Sequence, residues 1–142
     1  MLRKLAVVRP KLSELKGYKN SKVLTYFLQK NSEISLEMGQ ELFDDLLRWM
    51  YLSAQRKMES KLTKLFGPLL ILDELWHIFI LHTRDYIDFC NHYFGEYFHH
   101  DVEPIGFEEL LEENELEDYL KDCFKYLGSE WVERRFSLVF SS

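Results

Sequence analysis

The sequence predicts an all-α fold, a compact single-domain bundle of five to seven helices around a central helix rich in Trp and His. Three observations point there. Apolar residues recur at three- and four-residue spacing over 36–58, 73–94 and 116–127. Hydrophobic residues make up 46% of the 142-residue chain and aromatics 15%, enough for one core. Six Gly and three Pro, with no low-complexity run and no repeat, leave no sign of a long linker.

Residues 1–20 mix basic and apolar side chains with Pro10 and Gly17 and read as a basic N-terminal arm, with one helical turn around Lys11 to Leu15. The helical domain then spans 21–142. Ser21 is the expected cap of a short helix through Val23, Leu24, Phe27 and Leu28 that ends near Lys30. Ser35 caps a longer one from Leu36 to about Met58, with Glu37 and Glu41 near its positive end. Its stripe of Leu42, Leu46, Trp49, Met50 and Ser53, widened by Phe43, Leu47 and Tyr51, marks it as central. Gly67-Pro68 interrupts the chain before Leu69 to Leu72, a run too short to assign as helix or extended segment.

Asp73 is then the expected cap of a helical stretch to Phe94, closed by Gly95. Thr83 is placed to cap a second helix, so one helix and two abutting helices both fit. Phe107 to Glu113 is acidic and reads as helical, and Leu116, Tyr119, Leu120, Cys123, Phe124 and Leu127 form a clear amphipathic face up to Gly128. Ser129 is placed to cap a last turn containing Trp131, and 134–142 fits a short strand or an extended tail. The 73–95 element is expected to pack on 36–58 and on 116–127.

The net charge of −6 is unevenly spread: residues 1–30 carry eight Lys/Arg and one acid, whereas 101–130 carry eleven acids and two Lys. A net acidic chain without a basic-aromatic platform is a poor match for nucleic acid, because phosphate neutralisation supplies most of that affinity. The acidic start of the last amphipathic segment, Glu108, Glu109, Glu112 and Glu113, is a candidate face for a basic protein partner. A protein partner is expected over a small molecule, and the oligomeric state is open. No stretch is long and apolar enough to span a bilayer, and Arg9-Pro10-Lys11 cuts off any signal-peptide h-region. Cys90 and Cys123 sit in apolar helical patterns, which suits free thiols in the cytoplasm.

All five histidines fall within 72–100. On a helix Asp73 and Glu74 project to the same side as His77, which is the Glu-x-x-His spacing of di-metal bundles, but no second such motif is present. A mononuclear zinc or iron site from Asp73, His77, His99 and His100 is the remaining metal reading. The simpler alternative makes His77 a core histidine. Nucleophilic catalysis has little support: Cys90 lies on an apolar face with Phe89, Tyr93 and Phe94, and neither a Gly-x-Ser-x-Gly turn nor a phosphate-cradling glycine loop occurs.

The block Leu72-Asp73-Glu74-Leu75-Trp76-His77, with Ile80-Leu81, Thr83-Arg84, Tyr86, Phe89-Cys90, Phe94-Gly95 and His99-His100-Asp101, resembles the signature of the glycine-rich domain-containing protein-like family in its stand-alone form. Leu46 to Ser53 and Tyr119 to Trp131 extend the resemblance to roughly 35–131. It implies an α-helical domain with no established activity, and a signature core of Trp76, Thr83, Arg84, Tyr86, Cys90 and Gly95. The chain departs from that pattern at Phe79 and His82, where the family commonly has His and Asp. The expected role is therefore a non-enzymatic cytoplasmic interaction or scaffold domain. The alternative is a mononuclear zinc- or iron-binding protein, and through it a metal-dependent enzyme.

Overall fold

A computed structural model describes residues 11–100 and 112–140, with side chains to 137. Among these residues the chain forms seven α-helices and no strand. A single turn, α1 (Leu12–Leu15), sends Leu15 into the core. Helix α2 (Ser21–Lys30) is capped by Asn20, whose side chain accepts from the Val23 amide at 3.1 Å. The expected cap, Ser21, is instead the first helical residue, because Asn20 takes the extended conformation that a capping side chain requires.

Helix α3 (Leu36–Met58) starts as predicted, with Ser35 Oγ accepting from the Met38 amide at 3.1 Å and Glu37 in the first turn. It is the central element. Its buried residues Leu42, Phe43, Leu46, Leu47, Trp49, Met50 and Leu52 cover a wide arc, and α1, α2, α4 and α6 all pack on it. Each large apolar side chain so buried stabilises by about 1.5–3 kcal/mol relative to exposure. Gly39 allows α2 to approach closely, since a Cβ there would meet Leu28 Cδ2 at 2.8 Å.

A 3-10 turn at Gly67–Leu69 leads directly into α4 (Leu70–Leu81). Pro68 sits where a helix start needs no amide donor, so the apolar run 69–72 is helical and Asp73 lies within the first turn, not at the cap. The chain breaks at His82 (φ −84, ψ 68), whose Nδ1 lies 2.9 Å from the Ile78 carbonyl. The two-helix alternative therefore holds: α5 (Thr83–Phe94) comes next, with Thr83 as its first residue and not its cap. Gly95, at φ 72, closes α5 in the left-handed conformation that glycine tolerates best.

Helix α6 (Glu113–Leu127) begins after Glu112, which is extended and whose amide donates to Glu115 Oε1 at 3.0 Å. Of the helical stretch expected over 107–113, residues 107–111 lie outside the described residues. The strand or tail expected over 134–142 is replaced by α7 (Ser129–Phe140). Helix geometry there buries Trp131, Val132 and Phe136 together and aims Arg134 and Arg135 at α3. Helix α6 lies on α3 and α7, and α4 on α3, α2 and α5, so the direct packing expected between 73–95 and 116–127 is not a main contact. Trp49 stands between them: its ring is 5.2 Å from Trp76, and its indole N–H donates to Tyr119 at 2.9 Å.

Two groups of buried charge tie the helices together, one around Asp45 and one around Arg56 and Asp122. Asp45 is fully buried and accepts from Arg134 through both carboxylate oxygens, at 2.5 and 3.0 Å, and it forms an ion pair with Arg135, whose Nε lies 2.9 Å away without hydrogen-bond geometry. Burial raises the Asp45 carboxyl against the pull of the Arg134 hydrogen bond and the two guanidinium charges. Trp131 adds a bond to the Asp45 carbonyl at 3.3 Å. In the second group Arg56 donates to the Leu62 carbonyl at 2.8 Å, Thr63 Oγ1 at 3.0 Å and Asp122 at 2.6 Å, which ties the 59–66 connection to α6. No described helix is long and apolar enough to cross a membrane.

Breaking a buried ion group costs about 3–5 kcal/mol, and without Asp45 the two partly buried guanidiniums keep, among the described residues, only the Glu41 carboxylate, 3.8 Å from each. Asp45→Ala is therefore expected to lower unfolding free energy by about that amount in urea denaturation. A loss below about 1 kcal/mol, the scale of an exposed pair, would show that Asp45 does not anchor α7.

Candidate metal centre

Helix α4 turns Leu72, Leu75, Trp76, Ile78 and Phe79 inward, so Asp73 and His77, four residues apart, share the outer face. His77 is 52% exposed, which corrects the core-histidine reading. Glu74 does not join His77 in a Glu-x-x-His pair; it accepts from Asn31 Nδ2 at 2.6 Å and ties α4 to the end of α2.

The third member arrives from the segment after α5. His100 Nε2 donates to Asp73 Oδ1 at 2.6 Å, and His77 Nδ1 lies 3.7 Å from Asp73 Oδ2. The imidazoles of His77 and His100 stack at 4.4 Å, and His100 rests against the Trp76 ring at 4.2 Å. One donor atom from each of Asp73, His77 and His100 lies within 4.8 Å of the other two. Partial burial pushes the Asp73 carboxyl up, but the His100 hydrogen bond and the two nearby imidazoles outweigh it and hold the group below the ordinary carboxylate range.

His99 stands apart from this cluster, exposed and with its ring against Tyr97 at 4.7 Å. Phe79 is fully buried among Tyr18, Phe43, Tyr86 and Phe89, so a histidine at that position would face the core and not this cluster. Thr83 and Arg84 are exposed, whereas Trp76, Tyr86 and Cys90 are buried. Burial pushes the Cys90 thiol up, and that of Cys123 up to about 12, which disfavours the thiolate a nucleophile needs.

A chain of hydrogen bonds that no sequence pattern signals fixes Phe98, two residues before His100. The Trp76 indole N–H donates to the Tyr86 hydroxyl at 3.0 Å, and that hydroxyl donates to the Phe98 carbonyl at 2.5 Å. The Phe98 amide in turn reaches Cys90 Sγ at 3.4 Å, and its ring packs on Phe94 and Trp76. Burial keeps the Tyr86 hydroxyl protonated far above the ordinary phenol range, so it is a permanent donor.

A cleft of about 530 Å³ lies elsewhere, between residues 18–22 and α5, lined by Tyr18, Asn20, Lys22, Asp85, Asp88 and His92. Its central carboxylate is already engaged, with Asp85 taking Asn20 Nδ2 and Lys22 Nζ at 3.0 Å each. Of the acidic face, Glu108 and Glu109 lie outside the described residues, while Glu112 and Glu113 are exposed at the start of α6.

The sequence pattern described as UCP032817-like matches residues 11–131. No curated protein matches the chain, and no solved structure does. The matched span takes in α1 and α2, which the resemblance to the glycine-rich domain-containing protein-like family did not reach, and it overturns that resemblance. The significance attached to Phe79 and His82 as departures goes with it. The family's description names no activity, and the chain belongs to the UCP032817-like family.

Proposed function

We propose that this chain is a mononuclear metal-binding domain in which Asp73, His77 and His100 are the protein ligands of a zinc or ferrous ion. The observation that carries this reading is the convergence of two imidazoles and a carboxylate from two separate segments onto one side of α4. Two nitrogens and one oxygen suit either ion and leave positions open for water or another ligand. Ligand bonds of about 2.0–2.1 Å place tetrahedral donor atoms roughly 3.3 Å apart, so His77 has to move in from a separation of up to 4.8 Å while the 2.6 Å Asp73–His100 hydrogen bond opens to admit the ion. The half-exposed His77 has room for that movement. Free, buried Cys90 and Cys123 support a reducing compartment, and we place the protein in the cytoplasm. The interaction-domain reading has less support: among the described residues it rests on the exposed Glu112 and Glu113, and Glu112 is the cap position of α6.

Protein prepared without a nickel column is expected to carry close to one equivalent of zinc or iron by elemental analysis. His77→Ala is expected to lose that metal while keeping its helical circular dichroism, because the side chain is half exposed. Metal-free wild-type protein, or full metal content in His77→Ala, would count against the site. Affinity should fall on acidification, since both imidazoles and the carboxylate bind only when deprotonated.

The Asp73–His100 bond also has a metal-independent consequence. The folded-state pKa of Asp73 is lowered, so its contribution to stability is complete above the unfolded value near pH 4 and is lost as pH falls through the folded value. In chelator-treated protein, the stability gap between wild type and Asp73→Asn should narrow from pH 7 to pH 3. A gap constant over that range would mean that the carboxylate charge is not what His100 stabilises.

A further inference from the structure

Among the described residues two hydrogen-bonded relays share the same design. In one, Trp76 donates to Tyr86 and Tyr86 to the Phe98 carbonyl, at 3.0 and 2.5 Å. In the other, Trp49 donates to Tyr119 and Tyr119 to the Lys64 carbonyl, at 2.9 and 2.6 Å. Both tyrosines are essentially inaccessible, and each pins a non-helical segment against the core. The two differ in where the chain goes beyond the pinned carbonyl. Lys64 leads to the turn before α4, whereas Phe98 stands two residues before His100.

We infer that Tyr86 is a positioning residue of the metal site, a statement that rests on the metal-binding reading above. Asp73 and His77 are placed by the helix that carries both. His100 is not carried by a helix, because residues 95–100 are not helical and must be held at a fixed height above Trp76. Phe98 is the fixed point: its carbonyl is taken by Tyr86, its amide by Cys90, and its ring by Phe94 and Trp76. The hydroxyl of Tyr86 therefore sets the distance between His100 and the Asp73–His77 pair without touching the metal. Groups that orient a ligand rather than bind the ion characteristically change affinity by about 10–100-fold when removed. Tyr86 acts through the backbone two residues away, so the lower end of that range applies.

The second relay supplies the control. Tyr86→Phe and Tyr119→Phe each delete one buried hydroxyl between an indole and a carbonyl, so a purely structural role predicts similar falls in melting temperature and no difference in metal affinity. Zinc titrations against a competing chromophoric chelator, on wild type and both variants, separate the cases. The expected result is a Kd raised roughly tenfold in Tyr86→Phe and unchanged in Tyr119→Phe, with both melting lower. Wild-type binding with equal affinities in the two variants would overturn the positioning role and leave the metal site standing. No zinc binding by wild type would overturn the metal reading itself, and the positioning role with it. Should Tyr86→Phe fail to fold, Cys90→Ala removes the other polar anchor of Phe98. It should then weaken zinc binding roughly threefold, the scale of one modest hydrogen bond, and unchanged affinity would again overturn the role.

Discussion

Trp49 of α3 and Trp76 of α4 meet in the centre of the bundle with ring centroids 5.2 Å apart, and each directs its indole N–H away from the other. A buried indole supplies a large apolar surface and one donor that must be satisfied. Here both donors are answered by tyrosines, and both tyrosines pass the bond on to carbonyls outside the helices. The contact therefore joins two separate placements: α6 on α3, and the segment after α5 on α4. Hydrogen bonds of this kind reinforce one another in a low-dielectric interior. The remaining long connections are fixed by charge, through Asp45 with Arg134 and Arg135, and through Arg56 with Asp118 and Asp122.

The fold class and the run of helices were legible because periodicity is local. Leu42, Leu46, Trp49 and Met50 mark α3 without any knowledge of its neighbours, and Ser35 and Gly95 act as boundaries for conformational reasons that a single residue carries. Boundaries decided by a neighbour were less legible. The choice of Asn20 over Ser21 depends on which residue is extended, and the start of α4 at Leu70 depends on the turn at Gly67-Pro68. The strand or tail expected over 134–142 failed for a related reason. The alternation there is weak, and what makes it helical is a partner, Asp45, 89 residues earlier in the chain than Arg134.

The candidate site divides along the same line. Asp73 and His77 were visible as an i, i+4 pair. Which of the adjacent His99 and His100 would reach them was not visible, because it depends on Tyr86 holding Phe98. Glu74 looked equivalent to Asp73 by spacing, but Asn31 from α2 claims it. The match to the UCP032817-like family over 11–131 replaces the resemblance suggested by the 72–101 motif, and it includes the N-terminal turn that buries Leu15.

The central claim is that Asp73, His77 and His100 hold one ion, and X-ray absorption at the metal edge of the loaded protein tests it most directly. Ligation by these three residues gives a shell of nitrogen and oxygen alone at about 2.0–2.2 Å, with outer-shell scattering from two imidazoles. A sulfur shell at about 2.3 Å would place the ion at a cysteine instead. Either that shell or the absence of imidazole scattering would contradict the assignment.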